Sequence, residues 1–399
     1  MKILMVNKFL YPNGGSETYI FKLGDYLKAQ GHEVEYFGME HENRIVGNSS
    51  NSYTSNMNFH TNKLKKITYP IRIIYSTEAR KKIRVVLENF KPEVVHLNNF
   101  NFQLTPSIIY EIRKYEKQSK TKIKIVFTAH DSQLVCPNHL MLNPISNEKC
   151  TKCLEGSYIN CIKGRCIHGS VAKSIIATIE ATLWSTTRIY KNIDVIISPS
   201  KFLNEKLSMN KDLQGRIITL HNFVDGNNKN INKKEKYIAY FGRYSKEKGI
   251  ETLLKVCKEL KDIQFVFAGN GPLEGQVNSV KNITNMGFLS EKELKKVISQ
   301  AQFTIIASEC FENCPFSVME SQIYGTPVLG ANIGGIPELI NKDNTGELFE
   351  SGNEIELKNK ILKLWNDKSL IDKYSKNCKK IKFDTIEDYY KKIIKIYKE

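Results

Sequence analysis

The feature that most constrains the fold is a repeated alternation of short apolar runs with amphipathic helical segments. The run Lys2–Val6 precedes a segment that places Tyr19, Leu23 and Leu27 at helical spacing, with Gly31 as its end. Further apolar runs lie at 93–97, 124–130 and 194–200. Strands that alternate with helices in this way form a parallel sheet covered by helices. The sequence therefore predicts an α/β fold.

The alternation stops at a polar, asparagine-rich stretch, residues 221–236, and then begins again with the runs YIAYFG, QFVFAG, FTIIAS and PVLGAN. A length of 399 residues fits two domains. We expect an N-terminal domain over 1–200, a connecting segment over 201–236, a C-terminal domain over 237–381, and a last amphipathic helix at about 382–399 that packs back on one of them. Ligands of such folds bind at the carboxyl ends of the strands, so a cleft between the two domains is the expected site.

The chain is strongly basic. It carries 59 Lys and Arg against 42 Asp and Glu, a formal net charge of +17. Such a balance favours an anionic partner, such as nucleic acid, an acidic membrane surface or a phosphorylated small molecule, unless it reflects a general drift toward lysine. The basic residues are dispersed, and no zinc-finger or RNP motif accompanies them. The sequence therefore predicts no nucleic-acid partner, and a non-catalytic nucleic-acid-binding protein remains an alternative.

The first residues lack the pattern of a signal peptide, and no uncharged apolar run reaches the ~18 residues that span a bilayer. We expect a cytoplasmic protein, peripheral at most at the inner face of the plasma membrane. One segment, Lys63–Arg84, mixes cations with isoleucines. This pattern is typical of a surface for anionic lipid, or of an amphipathic helix packed on its own sheet.

Five of the nine cysteines cluster within an insert at 136–170. Cys150 and Cys153, followed by Cys161 and Cys166, have the spacing of a tetrahedral zinc site. Cys136 and His168 are substitute ligands in this interpretation. Free thiols in a small packed lobe, or disulfides, are the alternatives. Because the insert follows the strand at 124–130, we expect it to lie beside the expected cleft.

Several loops at strand ends carry residues suited to phosphate or nucleotide binding. Gly14 and Gly15 lie between the first strand and the first helix, where glycine lets a ligand approach the backbone and helix N–H groups meet anions. Arg243 and Lys248 follow the first strand of the second domain, where arginine can fork onto phosphate oxygens and lysine adds a point charge. The turns after the next strands hold Asn270, Gly271 and Leu289, with backbone groups that can contact a base edge.

A pair of glutamates eight residues apart, Glu312 and Glu320, brackets a Cys-Pro step and the start of a helical pattern. Taken with the loops above, it forms a recognisable series. The segments GRYSKEKGIETLL, FAGNGPL, GFLS and ECFENCPFSVMESQIYGTPVLGANIGGIPELI resemble, in this order, the C-terminal domain of family 4 retaining glycosyltransferases, and NGGSE, FTAHDSQ, SPSKF and HNFVD agree with the N-terminal half. The resemblance implies the GT-B fold, in which two Rossmann-like domains face each other across a nucleotide-sugar cleft.

The resemblance also implies roles for single residues. Glu312 contacts hydroxyls of the donor sugar, Glu320 holds the ribose hydroxyls, and Arg243 with Lys248 binds the donor diphosphate. These assignments suit the chemistry, because carboxylates accept hydrogen bonds from vicinal hydroxyls and cations stabilise a departing nucleoside diphosphate.

In the N-terminal half, the resemblance places His130 near the 6-hydroxyl of the sugar. It places Gly14 and Gly15 toward phosphate and acceptor. The expected catalytic residues are therefore His130 and Glu312. One departure concerns the donor: the chain reads ENCPFS where many members have Gly-Phe-Gly after the first glutamate, so the donor sugar is less defined than the fold.

The expected reaction is transfer of a hexose or N-acetylhexosamine, with retention, from a UDP-sugar or a GDP-sugar. The acceptor is a polyprenyl-diphosphate-linked or saccharide molecule of capsule, O-antigen or exopolysaccharide synthesis. No Asp-x-Asp pair for a metal-bound diphosphate is present, so no catalytic metal is expected. A nucleotide-sugar epimerase on the same fold is the enzymatic alternative, although it would lack the combination of the basic and acidic pairs.

Overall fold

A computed structural model of the chain describes residues 1–56, 69–224 and 233–399. The chain divides into two compact units. The first unit consists of Met1–His221 together with Ile386–Glu399, and the second consists of Asn222–Thr385.

The first unit is built on a six-stranded parallel sheet in the order β2-β1-β3-β4-β5-β6. Its strands are β1 (Lys2–Val6), β2 (Glu33–Phe37), β3 (Val94–Leu97), β4 (Lys124–Thr128), β5 (Val195–Ser198) and β6 (Ile217–Thr219). The central strands are mostly apolar because both faces of the sheet are covered. Ile3, Leu4, Met5 and Val6 of β1 have no exposed surface.

Helices cover this sheet. They are α1 (Gly15–Ala29), α2 (Tyr69–Ile74), α3 (Thr77–Phe90), α4 (Ser107–Ser119), α5 (Ile159–Lys163), α6 (Val171–Thr186) and α7 (Lys201–Ser208). In α1 the buried side chains include Tyr19, Leu23 and Leu27, which recur at the period of a helix and face the sheet. The first unit thus buries its core between one sheet and these helices.

The last helix of the chain belongs to the first unit, although it follows the second unit in sequence. Within α15 (Ile386–Lys398), Tyr389, Ile393 and Tyr397 recur every four residues and are buried. The hydroxyl of Tyr397 lies 2.6 Å from Nδ1 of His96 on β3, and that of Tyr389 lies 2.8 Å from the Tyr19 hydroxyl. A buried polar network therefore joins α15 to the first sheet.

The second unit holds another six-stranded parallel sheet, in the order β12-β11-β10-β7-β8-β9. Its strands are β7 (Ile238–Phe241), β8 (Phe265–Ala268), β9 (Ile283–Asn285), β10 (Thr304–Ile306), β11 (Val328–Ala331) and β12 (Gly346–Phe349). The chain moves outward from β7 in one direction and from β10 in the other. The order therefore reverses between β7 and β10, as in a Rossmann fold.

Seven helices of the second unit pack on that sheet in the described part of the chain. They are α8 (Ile250–Glu259), α9 (Glu274–Asn278), α10 (Glu291–Gln300), α11 (Phe316–Ile323), α12 (Ile336–Leu339), α13 (Glu354–Asn366) and α14 (Lys368–Cys378). Local sequence explains their ends: α10, for example, begins with a capping box between Ser290 and Glu293.

The segment expected to connect the two domains, 201–236, contains regular structure. Helix α7 and strand β6 lie in it and belong to the first unit. Strand β6 is three residues long and two of them are exposed, so it lacks the buried apolar run that marks the central strands. Residues 225–232 lie outside the described part of the chain.

Candidate active site

In the second unit, the residues expected to bind the donor follow the two strands at which the strand order reverses. Arg243 and Lys248 come after β7, and Glu312 comes after β10. Because the connections from these neighbouring strands run in opposite directions, a crevice forms at their carboxyl ends. The sheet topology thus brings both segments to the position where α/β proteins bind ligands.

Lys248 and Glu312 form an ion pair in this crevice, between Nζ and Oε1. The same carboxylate oxygen accepts a 2.8 Å hydrogen bond from Ser308 Oγ. Burial opposes charge on both groups, yet the Lys248 ammonium and the Ser308 hydroxyl hold the pKa of Glu312 below its ordinary value. In return, against the opposing effect of burial, the Glu312 carboxylate raises the pKa of Lys248. The structure therefore places a carboxylate and an ammonium, both charged, side by side.

The backbone of Glu312 is held as firmly as its side chain. Its carbonyl accepts a 2.7 Å hydrogen bond from the Gly335 N–H. At Gly334, where φ is +58°, a Cβ atom would lie 2.2 Å from that carbonyl oxygen. Only glycine fits there, because both the left-handed backbone and the close approach exclude a side chain. The GlyGly step at 334–335 thus fixes the loop that carries Glu312.

The turn after β8 packs directly on the segment that carries Arg243. The Tyr244 N–H donates to the Asn270 carbonyl at 2.7 Å. At Gly271, with φ of +155°, a Cβ atom would lie 2.5 Å from the carbonyl oxygen of Tyr244. The structure gives Gly271 a packing reason that is independent of any ligand. Arg243 itself has an exposed side chain.

Two further predicted residues lie in the second unit. Leu289 follows β9 and packs partly buried on the core, in a loop that contacts the β8 turn through a 2.7 Å hydrogen bond from Gly269 N–H to the Gly287 carbonyl. Glu320 lies on α11 and is half-buried. Lys248 and Glu312 are in contact, whereas Arg243, Gly271 and Leu289 are linked through the backbone of adjoining turns.

In the first unit, the loop after β1 is tied down by two asparagines and a glutamate that the sequence had not indicated. The Asn7 amide donates to the buried carboxylate of Glu17 at 2.9 Å, and its oxygen accepts from the Asn99 N–H at 3.0 Å. Asn99 in turn donates to Ser16 Oγ at 3.0 Å. This network holds the start of α1 against the end of β3.

Gly14 precedes α1 and Gly15 is its first residue. The φ of Gly14 is 178°, an extended conformation open to any residue. A Cβ atom there would meet only Glu17 Oε2 at 3.5 Å, an ordinary contact. The surrounding protein therefore does not require glycine at position 14.

His130 follows β4, and its ring is oriented by Asn98. Nε2 of His130 lies 2.9 Å from the Asn98 side-chain oxygen, while the Asn98 amide nitrogen donates to the carbonyl of His96 at 3.3 Å. Because that oxygen can only accept, Nε2 of His130 must carry a proton. Burial lowers the pKa of His130 to about 3, so the ring is neutral. The ring of Tyr19 packs edge-on against it, with centroids 5.0 Å apart.

The five cysteines of the insert line one small cavity in the first unit. They are Cys136, Cys150, Cys153, Cys161 and Cys166. All are free thiols, and burial raises the pKa of Cys153 to about 12 and that of Cys166 to about 11. Within the described residues, no group of three or more His, Cys, Asp or Glu side chains is arranged to hold a metal ion. The predicted zinc site is therefore not confirmed, although the cysteines do converge.

The basic segment Lys63–Arg84 is only partly described, because residues 57–68, with Lys63, Lys65 and Lys66, lie outside the described ranges. In the rest, the arginines are engaged within the unit: Arg72 pairs with Glu78 and Arg80 pairs with Glu111. Ile83 is buried in the core. This part of the segment thus uses several of its charges and apolar groups for internal packing.

Comparison with known proteins agrees with this architecture. A profile described as Glycosyltransferase Family 4 matches residues 13–227, more than half of the chain. One described as Glycosyl transferases group 1 matches residues 224–381. The chain belongs to glycosyltransferase family 4. Its relatives include an uncharacterized 42.6 kDa protein in the cps region of Klebsiella pneumoniae, 24% identical over 85% of this chain and 87% of the relative.

Another relative of this family 4 glycosyltransferase covers most of its length. N-acetyl-alpha-D-glucosaminyl L-malate synthase of Bacillus anthracis is 22% identical over 90% of this chain and 87% of the relative. Among solved structures, sucrose-phosphate synthase from Thermosynechococcus elongatus has a TM-score of 0.70 at 15% identity, covering 99% of this chain and 98% of that one. Anabaena Alr3699/HepE in complex with UDP and glucose has a TM-score of 0.68 at 14% identity, with both chains fully covered. These likenesses establish the GT-B fold.

None of the helices in the described part of the chain has both the length and the apolar character needed to cross a membrane.

Proposed function

We propose that this glycosyltransferase moves a hexose or N-acetylhexosamine from a nucleotide sugar, with retention, to a saccharide or polyprenyl-diphosphate-linked acceptor of a bacterial surface polysaccharide. The observation that carries the proposal is the charged Lys248–Glu312 pair at the point where the strand order of the second unit reverses. A site with both signs of charge suits a donor that offers sugar hydroxyls beside a diphosphate.

The choice of donor and pathway draws on the relatives. The Anabaena structure contains UDP and glucose, so we propose a UDP-sugar, with a GDP-sugar as the second candidate. Two relatives are proteins of a cps region in Klebsiella pneumoniae, which supports a role in surface polysaccharide synthesis.

In the second unit, the proposed roles follow from position and chemistry. Arg243 is exposed at the end of β7 and would fork onto the diphosphate, with Lys248 as the second cation. Glu312 would accept hydrogen bonds from hydroxyls of the sugar, and Ser308 would keep its carboxylate in place. Glu320 would hold the ribose hydroxyls. The turns with Asn270, Gly271 and Leu289 would contact the base.

In the first unit, we assign His130 to the 6-hydroxyl of the sugar. A neutral ring can form a hydrogen bond with a hydroxyl without adding a charge to the site. Asn98 determines that Nε2 of the ring carries the proton. Gly14 and Gly15 would leave room for phosphate and acceptor. This role would explain a glycine at position 14, because nothing in the surrounding protein requires one there.

The proposed chemistry needs no covalent enzyme intermediate. The acceptor hydroxyl forms the new bond to the anomeric carbon on the face from which the diphosphate leaves. The bonding pair of the broken bond stays on the departing phosphate oxygen, which then takes the proton of the acceptor. The protein contributes positioning and charge stabilisation. We expect transfer to continue in EDTA, and loss of activity with retained folding would contradict this.

Zinc in the cysteine lobe is a separate proposal. Its support is the single cavity that the five cysteines share. Zinc would bind thiolates and so would lower the pKa values that burial alone raises. We expect about one zinc per chain in protein purified with a reductant, and much less in Cys153→Ser. Metal-free wild-type protein of full stability would refute it.

The donor site can be tested by a thermal-shift and hydrolysis screen of the purified protein with UDP-glucose, UDP-galactose, UDP-GlcNAc, UDP-GalNAc and GDP-mannose. We expect one donor to stabilise the protein, and Arg243→Ala and Glu320→Ala to abolish the effect. Lys246→Ala is the matched control, because Lys246 is an exposed cation on the same turn as Lys248. No response to any donor would contradict the proposal, and conversion of the free nucleotide sugar to an epimer would favour the epimerase alternative.

A further inference from the structure

Helix α6 presents an apolar face to solvent. Val171, Ile175 and Ile179 recur every four residues and are 44%, 40% and 49% exposed. The opposite face, with Ala177, Glu180 and Trp184, is buried. A surface helix of a globular protein normally carries charged residues on its outer face. The exposed face of α6 instead has isoleucine and valine, with threonine beyond them.

The apolar area continues onto the segments that pack beside α6. Helix α5 contacts α6, and its first residue, Ile159, is 53% exposed. Ile145 is 60% exposed and approaches Gly169, just before α6 begins. We name these five residues the α6 surface: Ile145, Ile159, Val171, Ile175 and Ile179. Large apolar side chains exposed on neighbouring segments are typical of an interaction site.

The exposed charges around the α6 surface are mostly basic. From Ile145 to Thr187 the exposed acids are Glu148 and Glu155, against five exposed cations: Lys149, Lys152, Lys163, Arg165 and Lys173. A third acid, Glu180, is buried, and burial raises its pKa to about 8. An apolar face accompanied by an excess of exposed cations complements a surface that is apolar inside and negative outside.

We propose that the α6 surface docks on an anionic lipid bilayer, with its isoleucines among the acyl chains and its cations at the headgroups. The exposed apolar side chains and the exposed cations both fit a bilayer interface. A second copy of the chain fits less well, since a two-fold interface would bring the same cations together from both sides. The described arginines of the 69–84 segment pair with internal glutamates, so the α6 surface is the better candidate in the first unit.

This inference deepens the proposed function and rests on it for its biological meaning, since a lipid-linked acceptor resides at a membrane. The docking itself can be measured without donor or acceptor. Failure to bind vesicles and failure to bind a nucleotide sugar are therefore distinguishable results.

The test is flotation of the full chain with phosphatidylcholine vesicles that contain about 30% phosphatidylglycerol, compared with phosphatidylcholine alone. We expect binding to the anionic vesicles that falls at high salt. The double variant Ile175→Ser/Ile179→Ser should lose roughly fivefold or more of the bound fraction. Lys163→Glu/Arg165→Glu should lose binding to anionic vesicles as well.

Controls separate docking from folding and from other surfaces. Ile355→Ser removes an exposed isoleucine of the second unit and should bind as wild type does. The α6 variants should stay folded and melt in a single transition at most a few degrees below wild type, because the changed isoleucines are partly exposed. Three results would overturn the proposal. They are unchanged vesicle binding by the α6 variants, equal binding of wild type to neutral and anionic vesicles, and loss of vesicle binding only in Lys81→Glu/Lys82→Glu. A dimer that the α6 variants dissociate in the absence of any vesicle binding would also overturn it.

Discussion

At the scale of single residues, the Lys248–Glu312 pair makes a prediction about acid stability. Lys248 and Ser308 depress the pKa of Glu312 in the folded chain despite burial. A carboxyl with a depressed folded pKa contributes stability above its unfolded pKa, and that contribution is lost as pH falls through the folded value. We therefore expect the melting temperature of wild type to fall more steeply below about pH 4.5 than that of Glu312→Gln.

The comparison is made by thermal unfolding from pH 7 to pH 3. Glu291→Gln, which changes an exposed glutamate at the start of α10, is the control and should follow the wild-type curve. Parallel curves for wild type and Glu312→Gln would show that the pair adds nothing to folding. Because Lys248 and Glu312 both keep some solvent contact, an effect of about 1 kcal/mol is the expected scale.

A second residue-scale prediction concerns the tautomer of His130. The Asn98 oxygen faces Nε2 of the ring, and burial lowers the ring pKa to about 3. We expect nitrogen NMR of histidine-labelled protein to show His130 neutral, with the proton on Nε2, down to at least pH 5. Asn98→Ala should remove this preference or shift the proton between the nitrogens. A charged ring at pH 6 would contradict the geometry.

The candidate site shows what sequence reasoning can and cannot reach. Motif order singled out Lys248 and Glu312 as donor-binding candidates, and that role stays a prediction. Their direct contact could not be predicted, since it depends on two strands that are neighbours in the sheet and 63 residues apart in the chain, from Phe241 to Thr304. Ser308 and Asn98 were missed for the same reason: each matters through a partner that is distant in sequence.

At the scale of elements, α15 makes the clearest prediction. The Tyr397 hydroxyl meets the buried ring of His96. Tyr397→Phe keeps the shape and leaves a buried ring nitrogen without this partner, which typically costs about 1–3 kcal/mol of the free energy of unfolding. Denaturant unfolding measures the loss. Tyr390→Phe, which removes a hydrogen bond between partly buried Tyr390 and His32, should cost less. Negligible losses in both variants would show that apolar packing alone holds α15.

Among the strands, the sequence predicted best those whose residues are apolar and buried. Strands β1, β7 and β10 appear where the sequence has mostly apolar runs, and all of their residues except Lys2 are buried. Strands β6, β9 and β12 were not foreseen. Strands β6 and β9 have three residues each and an exposed position, and β12 contains a glycine and a glutamate instead of an apolar run. The period of α15 was readable from the sequence. Its attachment to the first unit depends on His96 and Tyr19, whose positions only the folded sheet defines.

At the scale of the whole molecule, the histidines are distributed unequally between the two units. All eight lie between residues 32 and 221, and the segment 222–385 has none. Burial lowers the pKa of His96 and His130 to about 3 and that of His139 to about 4. Below pH 6.5 the unfolded chain binds protons that the folded first unit does not. The first unit should therefore lose stability as pH falls, by up to about 2 kcal/mol per buried ring at pH 5.

The two tryptophans allow each unit to be followed separately, because Trp184 lies in the first unit and Trp365 in the second. In the single-tryptophan variants Trp365→Phe and Trp184→Phe, we expect fluorescence melting between pH 7 and pH 5 to shift down for the first unit and to stay nearly constant for the second. His168→Gln removes an exposed ring and should leave this pH dependence unchanged. Equal shifts in both reporters would mean that the two units unfold as one cooperative body, so that histidine protonation in one is felt by both.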